Sequence, residues 1–226
     1  MKSLTFADLT AADIRDIATV QEQSIAAYPW TQVDQMELSA KEQEHTTYIR
    51  NRLRYADTSL MNEATIWGRA IYPLLILAEA EPVQAWAQVP LRARLPHVEL
   101  QGVVDGVLGR GMMSMTETAY YLLVVEAKRG LESQDPRLQL LGQLLAAARL
   151  NWERDRNPVQ ELFGCYTISD TWKFLRAVIT NLDSDLPTMT LEPSREYVQK
   201  LEAETILKIL KHIVTTYTAT LTTAEG

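Results

Sequence analysis

Hydrophobic residues recur at helical spacing through most of the first eighty positions. The pattern predicts a loop at 28–38 and helices over 8–27, 39–55 and 62–80. Thr10 with Asp13, and Ser39 with Glu42, are spaced as capping boxes, in which a side chain satisfies a backbone N–H at the start of a helix. Pro73 lies inside the third helix and is expected to kink it. The amino-terminal part of the chain is therefore predicted to be helical.

From residue 83 onward the spacing of hydrophobic residues becomes that of strands. The predicted strands are 83–91, 98–108, 119–128, 160–168 and 172–179. The run at 119–128 is apolar on both faces, which predicts a central strand. Helical spacing returns over 136–152, and again after Pro193-Ser194 in a long carboxyl-terminal helix. That helix has one apolar stripe, consisting of Val198, Leu201, Ile206, Ile209, Leu210, Ile213 and Tyr217.

This order of elements predicts an α/β fold with a mixed sheet flanked by helices. We assign residues 59–226 to the α/β domain and residues 1–58 to a helical extension that precedes it. A chain of 226 residues with 46% apolar and 23% charged residues is globular, which excludes disordered and fibrous classes. No apolar run approaches the ~20 residues that cross a bilayer, and no signal core begins the chain, so a soluble cytoplasmic protein is expected.

Charge and cysteine content narrow the chemistry. The net charge of −7 is unsuited to coating nucleic acid, although it permits a local basic cleft that works with metal ions. The single Cys165 excludes a disulfide within the chain and a cysteine-rich metal centre. The three histidines are far apart and lack the spacing of metal ligands.

Three charged residues interrupt otherwise apolar strands. Glu126 and Lys128 end the central strand and are two residues apart, so both project from one face. Asp105 interrupts the apolar run of the preceding strand. Buried charges are costly unless they are paired or bind a metal, and carboxylate oxygens suit Mg²⁺ together with a substrate phosphate. The alternative is a structural Glu–Lys ion pair beside an unrelated aspartate in a turn.

The segment Asp105…Glu126-Ala127-Lys128 resembles the signature of PD-(D/E)XK nucleases, which have a restriction-endonuclease-like fold. Three further segments, over about residues 59–215, resemble the nuclease domain of type I restriction motor subunits and their solitary relatives. They are the helix NEATIWGRAIYPLL, the helix QLLGQLLAAA and the hairpin FGCYTISDTWKFLRAV. The proline of the signature is absent, Trp67 stands where relatives often have Arg, and Asp170 stands where they often have Gly. No phosphate-binding motor motif occurs, so the resemblance is to a free-standing nuclease domain.

The resemblance implies a role for each site residue. Asp105 and Glu126 would bind Mg²⁺ or Mn²⁺ with the Ala127 carbonyl, and Glu63 would hold a second metal ion or a water. Lys128 would position the attacking water. A glutamine, either Gln143 or Gln139, would fix Lys128 or a phosphate. For Glu63 the alternative is an ordinary acidic residue in the first turn of a helix, and for Gln143 it is a solvated helix residue.

These assignments imply a metal-dependent nuclease that hydrolyses phosphodiester bonds. DNA endonuclease activity in restriction, defence or repair is favoured, with RNA and end cleavage left open. One alternative is a nuclease-fold subunit that binds or assembles without cutting, and another is an unrelated α/β protein-interaction module. Possible phosphate contacts are Arg69, Arg110, Arg129, Arg137 and Lys173. A homodimer through the added helices is also expected.

Overall fold

The computed structural model describes residues 2–111, 119–128 and 135–224. Its strands are β1 Lys2–Thr5, β2 Thr19–Glu22, β3 Gln84–Arg94, β4 Val98–Arg110, β5 Tyr120–Lys128, β6 Val159–Ile168, β7 Thr171–Thr180 and β8 Thr188–Val198. Its α-helices are α1 Ala11–Ile17, α2 Ala40–Arg54, α3 Glu63–Ile66, α4 Tyr72–Leu77, α5 Pro136–Asp155 and α6 Gln199–Ala224. The predicted α/β class is confirmed. None of the described helices is long and apolar enough to span a membrane.

The eight strands form one mixed sheet. Its order is β1-β4-β5-β6-β7-β8-β2, and β3 pairs with β4 along the other edge of that strand. The β5–β6 pair is parallel, whereas β4–β5, β6–β7 and β7–β8 are antiparallel. Residues 121–127 of β5 are all buried, as expected for a central strand with both faces covered.

Helices cover both faces of the sheet, and the sheet separates the hydrophobic core into two parts. Helix α5 packs on one face, and α2, α4 and α6 pack on the other. Helix α5 lies close to β6 because Gly164 has no side chain: a Cβ there would lie 2.9 Å from Leu144 Cδ1. This close approach brings the polar residues of α5 within reach of the end of β5.

The amino-terminal segment differs from the predicted helical extension. The capping boxes of Thr10 with Asp13 and of Ser39 with Glu42 are both present, and α2 follows the predicted bounds closely. The helix predicted over 8–27 is wrong beyond Ile17, because residues 19–22 form β2 beside β8. Residues 2–5 form β1 beside β4. Residues 2–5 and 19–22 therefore add two strands to the main sheet.

The third predicted helix is present and deformed near its proline. Asn62 caps α3, a π-helical turn follows over Trp67–Ile71, and α4 begins at Tyr72. Because Pro73 has no N–H and its ring displaces the preceding carbonyls, the regular α-helical hydrogen-bond pattern cannot continue through it. The expected kink therefore takes the form of a widened turn.

The predicted start of the last helix is wrong. Pro193-Ser194 matches a helix start, but residues 188–198 are strand β8 and the helix begins at Gln199. The register between β7 and β8 shifts at Lys173/Leu175, and there the Ser194 hydroxyl accepts a hydrogen bond from the Phe174 N–H. A bulge is one of the few places where a strand tolerates proline.

Most of the apolar stripe on α6 is buried inside this chain. Ile206, Ile209, Leu210 and Ile213 belong to the core between α6 and the sheet, whereas Leu201 is 76% exposed. The stripe is therefore explained by packing within one molecule.

Candidate functional site

Strand β5 delivers a carboxylate and an ammonium group to the face covered by α5. Val125 and Ala127 pack in the core on the opposite face, so Glu126 and Lys128 project towards α5. The Glu126 side chain is only 1% exposed, and that of Lys128 is 17% exposed. Lys128 Nζ lies 2.6 Å from Glu126 Oε1, which makes a partly buried ion pair.

A fork in the sheet places Asp105 beside this pair. Strand β4 pairs with β5 from Gly106 onward and with β1 up to Gln101, so Asp105 lies where the neighbouring strand changes. Its Oδ2 accepts a hydrogen bond of 2.8 Å from the backbone N–H of Ala127. The aspartate thus replaces a strand partner for the residue between Glu126 and Lys128.

Helix α5 supplies the glutamine. Gln143 is fully buried and its Nε2 donates a hydrogen bond of 2.7 Å to Glu126 Oε2. Gln139 is one turn earlier and only partly buried, and its side chain has no hydrogen bond within the described parts of the chain. Of the two candidate glutamines, the structure brings Gln143 to the site. Its hydrogen bond is to Glu126, and its role of fixing Lys128 or a phosphate stays a prediction.

Glu63 approaches the site from the opposite layer. It lies in the first turn of α3, directly after the cap formed by Asn62. Although Glu63 is largely exposed, partial desolvation raises its pKa, repulsion from Asp105 raises it further, and attraction to Lys128 lowers it. These effects place Glu63 within electrostatic range of the other two charged groups.

All three carboxylates have raised pKa values. Desolvation is the largest cause in each case, and it is only partial at the exposed Glu63. Burial and repulsion from Asp105 raise the pKa of Glu126 to about 7, against the opposing influence of Lys128 and Gln143. The pKa of Lys128 is also raised, because its acidic neighbours outweigh its own desolvation. The site therefore resists full ionisation of its carboxylates at neutral pH, a cost that a bound cation would relieve.

The donor set fits a divalent cation at Asp105 and Glu126. Glu126 Oε1 is buried and has no well-aligned hydrogen-bond donor within the described residues. In a strand, the N–H and the carbonyl of one residue point to the same side. The Ala127 N–H points to Asp105, so the Ala127 carbonyl faces that side as well. Across the described ranges, no three His, Cys, Asp or Glu side chains form a group that could hold a metal ion.

The predicted phosphate-contacting residues are dispersed. Arg110 is at the other end of β5, where its Nε donates to the Tyr217 hydroxyl. Arg137 forms an ion pair with Glu22, and Arg129 lies outside the described residues. Lys173 lines a cavity of about 270 Å³, which Tyr166, Ile168, Thr171 and Glu196 complete.

Lys173 lies on the same face of the sheet as Glu126. In the strand register Glu126 is beside Tyr166, and Tyr166 is opposite Lys173. With about 4.8 Å between neighbouring strands, Lys173 starts about 10 Å from Glu126. Arg69, by contrast, is exposed on the π-helical turn in the other layer.

Gln88 is a neighbour of the site that the sequence pattern does not indicate. It is an exposed residue of β3, and its Nε2 donates a hydrogen bond of 3.2 Å to Asp105 Oδ1. A glutamine in a strand carries no distinguishing signal, and its position opposite Asp105 depends on the register of β3 with β4.

Comparison with models of known protein families and with curated protein sequences gives no match. The resemblance to PD-(D/E)XK nucleases therefore depends on the motif residues themselves, and their arrangement carries the functional argument.

Proposed function

We propose that the protein is a divalent-metal-dependent nuclease that hydrolyses phosphodiester bonds, with DNA as substrate and cleavage within the strand. One observation carries the proposal: the buried Glu126 carboxylate is held between Lys128 and Gln143, while Asp105 binds the backbone of the residue between Glu126 and Lys128. Two carboxylates and a lysine thereby meet at one end of the central strand.

Asp105, Glu126 and the Ala127 carbonyl would hold Mg²⁺ or Mn²⁺. These are hard oxygen donors, which Mg²⁺ prefers, and too few to complete its six-fold coordination. Positions would remain for water and for a phosphate oxygen. When bound, such a cation polarises the phosphoryl group and makes its water more acidic.

The remaining residues would orient the reactants. Lys128 is the more exposed member of its ion pair, so its ammonium can reach both a water and a phosphate oxygen. Gln143 holds Oε2 of Glu126 in place, whereas Oε1 lies beside Lys128 Nζ and keeps a further lone pair that could bind a ligand. Glu63 would hold a second cation or a water at the outer side of the site.

A purely structural ion pair accounts poorly for these contacts. A structural Glu126–Lys128 pair would be strengthened by neutral or cationic neighbours, whereas Asp105 and Glu63 add negative charge. Their repulsion raises the pKa values of the carboxylates and so destabilises the ionised site. The interaction-module alternative loses its main support, since α6 buries most of its apolar stripe.

A nucleic-acid strand would leave the site along the cavity lined by Lys173. Lys173 lines this cavity and is paired across the strands with Glu196, so its ammonium would meet a phosphate beside one carboxylate. We infer that Tyr166 lies between this phosphate and the one being hydrolysed. Glu196 in the same cavity would limit tight non-specific binding, in keeping with the net charge of −7.

We infer a cytoplasmic homodimer. Tyr55, Leu60 and Leu201 are 88%, 78% and 76% exposed, and they adjoin the contact in which Lys200 Nζ donates to the Thr58 hydroxyl. Exposed apolar side chains grouped in this way favour a two-fold interface. Light scattering that gives the mass of one 226-residue chain at micromolar concentration would exclude the dimer.

A plasmid-nicking assay tests the nuclease proposal. Supercoiled DNA is incubated with the protein in EDTA, in Mg²⁺ and in Mn²⁺, and thermal midpoints are measured in the same buffers. We expect nicking only with metal, and a higher midpoint with metal, because a ligand that binds only the native state stabilises it. Metal binding without any cleavage of DNA or RNA would favour the subunit that binds without cutting. Unchanged midpoints in both metals would contradict the site itself.

A further inference from the structure

Gln88 has an unusual backbone conformation for a strand residue. Its φ is +53°, in the left-handed region that residues with a side chain seldom adopt. Arg156, Ser169 and Asn181 also have positive φ, but they lie at a helix end or in turns. Gln88 is inside β3, so its conformation is retained against the preference of the strand.

The distortion lies directly opposite Asp105. The β3–β4 ladder pairs Ala87 with Gly106 and Val89 with Val104, and it omits Gln88 and Asp105 between them. Because Gln88 is exposed, packing in the core does not account for the distortion. The contact made by its side chain is the hydrogen bond from Nε2 to Asp105 Oδ1.

Asp105 is consequently held by a donor on each oxygen. The Ala127 N–H binds Oδ2 and Gln88 Nε2 binds Oδ1. Each oxygen of a carboxylate has two lone pairs, so both can still accept a further ligand. Two donors from different strands fix the plane of the carboxylate, which determines the direction in which the remaining lone pairs point.

We propose that Gln88 is a positioning residue of the carboxylate site, whose left-handed backbone holds its amide against Asp105 and so sets the direction in which Asp105 faces a cation. This inference rests on the proposed metal-dependent function. Glycine or asparagine would adopt the backbone conformation more easily. The longer glutamine spans the gap between the strands, and this accounts for its presence at a strained position.

The test separates the amide from the backbone by means of Gln88→Gly. Glycine adopts a φ of +53° without strain and has no amide side chain, so the variant should melt at or above the wild-type temperature. Its Kd for Mn²⁺, measured by calorimetry on the full chain, should rise 10- to 100-fold, as is typical when a partner of a metal ligand is lost. In nicking assays the Mn²⁺ concentration for half activation should rise equally, whereas KM for DNA should stay within twofold.

Two further variants complete the experiment. Gln88→Ala loses the amide but keeps the strained conformation, so it should show the same rise in Kd with a midpoint no higher than that of wild type. Gln84→Ala removes a glutamine from the same strand, opposite Gly109 and away from the site, and should leave the Kd unchanged.

The outcomes distinguish this inference from the proposed nuclease activity. A Kd for Mn²⁺ within twofold of wild type in both Gln88 variants would overturn the role of Gln88 and leave the nuclease proposal standing. If the wild type binds Mn²⁺ but does not cleave, the nuclease proposal fails and the change in Kd still decides the role of Gln88. A wild type that does not bind Mn²⁺ would overturn both.

Discussion

Strand β5 ends in charged residues at its carboxyl end and in aromatic residues at its amino end. Tyr120 and Glu126 are about 20 Å apart along the strand, given about 3.3 Å per strand residue. At the carboxyl end, Glu126 and Lys128 meet Asp105 and Gln143. At the amino end, Tyr120 stacks on Tyr217 with ring centroids 5.5 Å apart.

The amino end keeps its polar groups neutral or partly exposed. The pKa of Tyr120 is raised to about 12, chiefly by burial, so its hydroxyl stays protonated. Arg110 and Arg154 lie over the Tyr120 ring at 5.4 and 5.9 Å from its centroid. Such contacts stabilise the fold through packing and cation–π attraction, without burying a carboxylate.

The carboxyl end is arranged in the opposite way. Its carboxylates are close enough to repel one another, and burial has raised their pKa values. Apolar residues at positions 126 and 128 would pack without this electrostatic cost. The difference is that the amino end stabilises the fold, whereas the carboxyl end carries an electrostatic cost that the proposed cation would relieve.

The largest expected effect comes from Asp105→Asn. Asparagine can still accept the Ala127 N–H, but it lacks the charge that a cation requires. Nicking of supercoiled DNA in Mg²⁺ should fall roughly 10³-fold or more, and Mn²⁺ affinity should drop with it. The thermal midpoint without metal should stay level or rise, because a source of repulsion is gone.

The matched control for this change is Asp183→Asn. Asp183 is exposed in the connection between β7 and β8, at the far end of the sheet from Lys128. The Asp183→Asn protein should nick supercoiled DNA at the wild-type rate. An Asp105→Asn protein that nicks at the wild-type rate would remove the carboxyl end of β5 from the proposed chemistry.

The next largest effect is expected from Lys128→Ala. If Lys128 acts on a water or phosphate beside a cation, turnover should fall roughly 10²- to 10³-fold while Mn²⁺ binds as well as before or better. The fold should lose little, because Gln143 still donates to Glu126 and the carboxylate can take up a proton. Calorimetry, melting and nicking on one preparation separate these effects.

A structural ion pair gives a different pattern for the same variant. Glu126 would then be buried without its counter-ion, and the loss would be several kcal/mol of stability. If Lys128→Ala melts far below wild type, with or without Mn²⁺, Lys128 stabilises the fold. The carboxyl end of β5 would then be structural, like the amino end.

The sequence predicts some residues at the carboxyl end of β5 better than others. The continuous apolar run of β5 identifies the strand and the exceptional Glu126 and Lys128 at its end. Gln143 and Gln139 are four residues apart on one helix, so they share a face and spacing alone does not choose between them. The sequence pattern does not indicate Gln88, because its role depends on the register of β3 with β4 and on its own φ angle.

The errors in the predicted fold have equally local causes. Strands β1 and β2 have four residues each, too few for an alternating pattern to stand out. Pro193-Ser194 matches a common helix start, yet it occupies a bulge in β8. Both kinds of segment take their structure from the sheet they join, because pairing with a neighbour overrides a weak local preference.

The metal-free protein should become less stable as pH rises through the neutral range. The pKa of Glu126 is about 7 in the folded protein and 4.5 for the ordinary group, so between these values the unfolded chain binds fewer protons than the folded one. Stability therefore falls as pH increases from about 4.5 to 7. The full difference is on the order of a few kcal/mol, at about 1.4 kcal/mol for each pKa unit.

Glu126→Gln isolates this effect. In EDTA, the drop in thermal midpoint between pH 5 and pH 8 should shrink in Glu126→Gln, with Asp105 and Glu63 accounting for what remains. Glu37→Gln, at an exposed position before α2, is the control and should behave like wild type. An identical pH profile in Glu126→Gln would show that the buried carboxylate is not the source of the pH dependence.

The smallest effect is expected at the amino end, from Tyr217→Phe. The change removes the hydroxyl that accepts a hydrogen bond of 2.8 Å from Arg110 Nε, and keeps the ring that stacks on Tyr120. Arg110 is partly exposed and retains its position over Tyr120, so the free energy of unfolding should fall by only about 1 kcal/mol. Urea unfolding measures this loss, and its slope should be unchanged because the same surface is exposed. Mn²⁺ affinity and nicking should match wild type, since the site lies about 20 Å away along β5. A change in either beyond twofold would mean that the two ends of the strand are coupled, and that packing at one end sets the geometry of the charges at the other.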